Sequence, residues 1–221
     1  MQSLDELRQD MERQKQGTEK PAQSHSVHFE PEDIISPALD KEMRHFDEVL
    51  RTVPLPDGAD RKEKLEPVGK FVSDAISISL IEGLNKGTQR CSAYMEAQGY
   101  RFDVRIPVEE QEKPPKGSMV DQIRDAAERE CFKKAFGFTI DDAEDGKAEY
   151  DPHTLLFQYQ GMESTWADVE EILKSLPPTV YEHGSIFEWY KKILHDLVLS
   201  AIAVGYAYGW NDSLKYVHTK E

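Results

Sequence analysis

The chain contains one His-Asp doublet, His195-Asp196, in a stretch with the apolar period of a helix. A helix-borne His-Asp pair can hold a metal that activates water, as in a metal phosphohydrolase of the HD type. That chemistry needs a further His and Asp from other helices. His45, His183 and Asp212 are available, but no spacing selects them. A polar histidine on a helix face is the simpler reading.

Two carboxylate pairs come next. Asp125-x-x-Glu128 and Asp168-x-x-Glu171 each set two acids one turn apart. Such pairs on facing helices can hold magnesium. All-helical nucleotide pyrophosphohydrolases use a Glu-x-x-Glu pair followed by Glu-x-x-Asp, and that order is absent here. Among 42 acidic residues, pairs at this spacing arise by chance, so solvated helix faces account for them. Asp141 to Gly146 has the look of the start of an EF-hand loop, with Asp145 and Gly146 at positions five and six. Ala143 and Pro152 then fall where two ligands belong, including the bidentate acid. An ordinary acidic turn is expected. No glycine-rich phosphate loop, nucleophile elbow or His-Glu-x-x-His motif is present. The sequence therefore assigns no catalytic, cofactor-binding or metal-ligating residue, and it implies no cofactor.

Composition sets the class. The 221 residues carry 42 acidic against 27 basic side chains, a formal charge of -15. That surface repels phosphate backbones and anionic lipid, which argues against direct nucleic-acid binding and favours solubility or a basic protein partner. The thiols Cys91 and Cys131 belong to no Cys-x-x-Cys pair and read as buried thiols of a reducing compartment. The N-terminus has no signal-peptide core, and the uncharged run Leu197 to Trp210 is shorter than the ~20 residues a bilayer span takes. A cytoplasmic protein with no membrane association is expected.

The elements that must position these residues are mostly helical. Ser3 to Glu6 has the form of a capping box, with Leu4, Leu7 and Met11 at helical spacing behind it. Residues 1–35 thus read as a flexible N-terminal arm with a short amphipathic helix, a candidate partner-docking arm, ahead of a single helical domain over 36–221. Within that domain, helices are expected from Ser36-Pro37 to about Arg51, 67–98, 119–136, 166–176 (capped by Thr165) and 186–217 (opened by the Ser185-x-x-Glu188 box). Tyr100 to Ile106 and Thr154 to Tyr159 read as the strands of a small two-stranded β-ribbon.

Small residues recur every fourth position on the two longest helices: Ala75, Ser79, Gly83, Gly87 and Cys91 on one, Ala201, Gly205, Gly209 and Ser213 on the other. Helical glycine costs about 1 kcal/mol against alanine, so two in each helix imply close approach of another backbone. Rows at spacing four interdigitate when helices cross near ~-50°. The expectation is a mainly α bundle built on two long crossed helices, with the stripe used either within the chain or across a homodimer axis.

The functional expectation is a non-enzymatic acidic interaction factor: an adaptor, inhibitor or accessory subunit of a larger assembly, whether host, phage or defence-related. The rival is a small all-helical metal-dependent nucleotide or phosphoester hydrolase using Asp125, Glu128, Asp168 and Glu171, or His195 and Asp196.

Overall fold

The computed structural model describes residues 37–103, 119–177 and 184–218. The arm over 1–35 and the segment 104–106 of the first expected strand lie outside them. The described residues are mainly helical: α1 Pro37–Thr52, α2 Arg61–Ala97, α3 Met119–Phe136, α4 Ile140–Glu144, α5 Pro152–Leu156, α6 Met162–Ser175 and α7 Ile186–Ser213. The two-residue strands β1, Arg101–Phe102, and β2, Val217–His218, pair antiparallel with Arg101 opposite His218.

Local chemistry moves two boundaries from their expected places. α2 begins at Arg61 rather than near Pro67, because the Asp60 carboxylate accepts from the amides of Lys62 and Glu63. Arg61 then ties this end to α1, donating to the carbonyls of Leu50 at 2.9 Å and Val53 at 2.7 Å. Pro67 is carried inside the helix. α6 begins at Met162, not after Thr165: Gly161 at φ 86 provides the entry, and the Thr165 hydroxyl donates back to its carbonyl instead of capping.

The expected second strand is a helix. Asp151 caps α5 through the His153 amide and Pro152 fills its first turn, so Thr154 to Leu156 are helical. The short β1 finds its partner in β2, just past the end of α7. The acidic turn after Asp141 is likewise helical at its start, where Thr139 and Asp142 form a reciprocal capping box at α4.

α2 and α7 form the spine and point the same way. Tyr190 donates to the Val68 carbonyl at 3.3 Å, Thr88 to the Gly209 carbonyl at 3.4 Å, and the rings of Tyr94 and Trp210 lie 5.8 Å apart. Both helices advance together through these pairs over roughly 30 Å. The two long helices of the spine are thus in contact along most of their length.

The chain between them returns along one flank. Phe132 of α3 packs edge-on against Tyr206 with centroids 5.0 Å apart, Ala148 meets His195, and Trp166 of α6 sits between Phe71 and Tyr190. These contacts step down α7 from Tyr206 to Tyr190. α1 covers the same lower end by stacking Phe46 on Trp189. By length and composition, the 31 residues from Ile186 to Tyr216 could cross a bilayer, contrary to the expectation of too short a span, but 72% of that apolar window is buried inside the molecule.

Candidate functional site

The structure places the small residues of both stripes in the seam of the spine. Ala75, Ser79, Gly83 and Gly87 of α2 and Ala201, Gly205, Gly209 and Ser213 of α7 are all buried. A Cβ at Gly83 would lie 2.3 Å from the Ile202 carbonyl oxygen, and one at Gly87 2.2 Å from that of Tyr206. The reverse holds across the seam: a Cβ at Gly205 or Gly209 would lie 2.2 Å from the carbonyl oxygen of Leu80 or Leu84. Each glycine thus admits the partner backbone itself. Ser79 and Ser213 direct their hydroxyls to the carbonyls of Ala75 and Gly209 in their own helices, which satisfies these two buried hydroxyls. The glycine faces are filled from within the chain.

His195-Asp196 forms a latch. The His195 ring faces the Asp196 carboxylate through Nδ1 at 2.9 Å and the Ala148 carbonyl through Nε2 at 3.0 Å. Lys192 donates to the same carboxylate at 2.6 Å and to the Gly146 carbonyl at 3.4 Å. Burial alone would raise the Asp196 carboxyl, but hydrogen bonds from His195 and Lys192 outweigh it and hold it below its ordinary value. Gly146, at φ 64, lets the loop come this close: a Cβ there would meet the Asp196 carboxylate at 2.6 Å. Both ring nitrogens of His195 face acceptors of the chain itself, the Asp196 carboxylate and the Ala148 carbonyl. His45 lies edge-on to Trp189 with centroids 6.1 Å apart, Asp212 is held by Lys215 at 2.7 Å, and His183 lies outside the described residues.

The carboxylate pairs are not brought together. Asp125 and Glu128 lie on α3 close to Cys91, near the upper part of the spine, whereas α6 carries Asp168 and Glu171 in solvent with its buried face on Phe71 and Tyr190 at the lower end. Among the described residues, no three His, Cys, Asp or Glu side chains are grouped to hold a metal ion. The acids of the EF-hand-like stretch are engaged locally: Asp141 with Arg129 at 2.6 Å, Asp145 with Lys147 at 2.5 Å, and Asp142 in the α4 cap.

Two features had no signal in the sequence. Where α2, α3 and α7 meet, burial, then the Asp125 charge, pushes the Glu128 carboxyl up to about 7. Burial, then Glu128, pushes the Cys91 thiol up to about 12, and the Tyr206 hydroxyl is buried with no hydrogen-bond partner. Which flank α3 covers decides this junction, and no local pattern encodes it. The second is a groove of about 680 Å³ between α1 and α7, lined by Asp40, Lys41, Arg44, His45, Lys192 and Asp196 among others. Its acids and bases largely answer one another, Asp40 with Arg44 at 2.7 Å and Asp196 with Lys192. No family model, curated protein or solved structure matches this chain.

Proposed function

We propose that this chain is a non-enzymatic acidic interaction factor, an adaptor, inhibitor or accessory subunit that works by binding another protein. The observation that carries the reading is the latch. The doublet best suited to metal chemistry uses both His195 nitrogens and the Asp196 carboxylate to fix the loop at Gly146 and Ala148. The carboxylate pairs of the rival hydrolase reading sit on α3 and α6 at different levels of the spine. The formal charge of -15 supports a basic partner and a soluble, cytoplasmic setting. Leu4, Leu7 and Met11 supply the docking arm in this proposal.

Affinity purification from the native cell, with mass measurement of what accompanies the chain, tests it. The expected result is a protein partner in fixed stoichiometry, lost or weakened on deletion of residues 1–20 while the melting temperature stays unchanged. Retention of the partner by the truncated chain removes the arm from the proposal. Purification of the intact chain alone, together with turnover of a nucleotide or phosphoester, overturns the reading.

A further inference from the structure

Tyr206 of α7 has no exposed surface, and its hydroxyl has no hydrogen-bond partner among the described residues. Native folds rarely keep a buried polar group in that state. The ring is gripped from α3: Phe132 and Phe136 lie edge-on to it with centroids 5.0 and 6.0 Å away. Trp210 stacks on it at 6.2 Å. Phe132 and Phe136 stand one turn apart on α3, and one turn earlier in the same row comes Glu128. The hydroxyl end of Tyr206 faces the corner where this row meets α2. The charges that bear on it are those of Cys131 and Glu128 from α3 and of Arg90 and Cys91 from α2.

Glu128 is half-buried in that corner and has no ion pair among the described residues. Arg129, whose charge favours ionised Glu128, is turned to Asp141 of α4 at 2.6 Å. Asp125, on the same helix, opposes ionisation. The other bases, Arg90 and Arg124, act on Tyr206 and Cys91. Around the carboxyl, burial keeps Cys91 a neutral thiol up to about 12, raises the Cys131 thiol and holds the Tyr206 phenol neutral. Burial, then Asp125, pushes Glu128 itself up to about 7, so it is mostly neutral at pH 6 and mostly ionised at pH 8.

We propose that Glu128 and Tyr206 form a proton-operated clasp between α3 and the spine. With its carboxyl neutral, Glu128 turns inward and shares a hydrogen bond with the Tyr206 hydroxyl, directly or through one water, and α3 is held closed. With the carboxyl ionised, the charge turns to solvent, the hydroxyl loses its partner and α3 loosens from the α2–α7 seam. The unpartnered hydroxyl of the structure corresponds to this second arrangement. Opening releases one proton to solvent and needs no other reactant. The clasp operates whether or not the chain binds a partner.

The test follows the full chain by NMR and hydrogen exchange between about pH 4 and 9. The carbon chemical shift of the Glu128 carboxyl is expected to titrate with a midpoint of about 7. Tyr206→Phe keeps the ring and deletes the hydroxyl. It is expected to lower that midpoint by about half a pH unit or more, because the neutral carboxyl loses its partner. Corrected for intrinsic exchange, protection of the α3 amides is expected to fall about fivefold or more from pH 6 to pH 8. Glu128→Gln, neutral at every pH, is expected to remove that fall, and α6 to show none. Melting curves verify that both variants fold. An unchanged or raised midpoint in Tyr206→Phe overturns the clasp, since Glu128 would then titrate without reference to the hydroxyl. A midpoint at the ordinary 4.5 in the unaltered chain overturns it too. So does a loss of α3 protection that persists in Glu128→Gln, or no loss in the unaltered chain.

Discussion

Glu128 shows how a single half-buried acid ties this fold to pH. Its carboxyl titrates at about 7 in the folded protein against an ordinary value of 4.5, because burial, then Asp125, disfavours its charge. A group raised in this way contributes its full stability below the lower value and loses it as pH rises toward the upper one. Glu128→Gln keeps the size and removes the charge. It is expected to raise the melting temperature by about 2–5 °C at pH 8 and to leave it unchanged at pH 4; equal effects at both values would contradict the assignment. Asp196 works in the opposite sense. Its lowered carboxyl stabilises above its ordinary value and loses that contribution as pH falls. Neither behaviour was legible in the sequence, where Glu128 was one acid of many and Asp196 half of a suspected metal motif. Their roles depend on which backbone and charges the fold brings to them.

At the scale of the elements, the glycine stripes were the most legible feature and the strands the least. Two glycines inside each long helix oppose helix propensity, so their presence in the sequence points to a close neighbour. Spacing alone did not set direction, because rows of small residues permit both parallel and antiparallel neighbours. Contacts far from the stripe, such as Tyr190 on Val68, decide that. Thr154 to Tyr159 departs from the expected strand for a different reason: so short a segment cannot display a helical period, and the Asp151-Pro152 pair immediately before it is a helix start. The seam yields a prediction with an informative sign. Glycine to alanine in a helix ordinarily stabilises by about 1 kcal/mol, yet a methyl at Gly205 would press on the Leu80 carbonyl oxygen at 2.2 Å. Overpacking against backbone costs about 1–3 kcal/mol or more. Gly205→Ala is therefore expected to lower the melting temperature by about 4–8 °C, and a rise would show that the helices are not in close contact there.

For the whole molecule, the His195-Asp196 doublet and Lys192 are engaged in fixing the loop at Gly146 and Ala148, and the interaction reading proposed above rests on that. The mainly helical class and the two long helices were readable from period and capping residues. The course of the intervening chain was not, since Phe132, Ala148 and Trp166 acquire their places only by packing down the length of α7. The most direct measurement is thermal melting of the full chain with and without magnesium or manganese, alongside Asp168→Ala and His195→Ala. A metal held at 100 times its dissociation constant stabilises a folded protein by ~2.7 kcal/mol, or about 5–10 °C for a chain of this size. The account predicts no metal-dependent shift in the unaltered chain, and a lower melting temperature for His195→Ala whether or not metal is present. A metal-induced rise of that size, abolished by Asp168→Ala or His195→Ala, would contradict it.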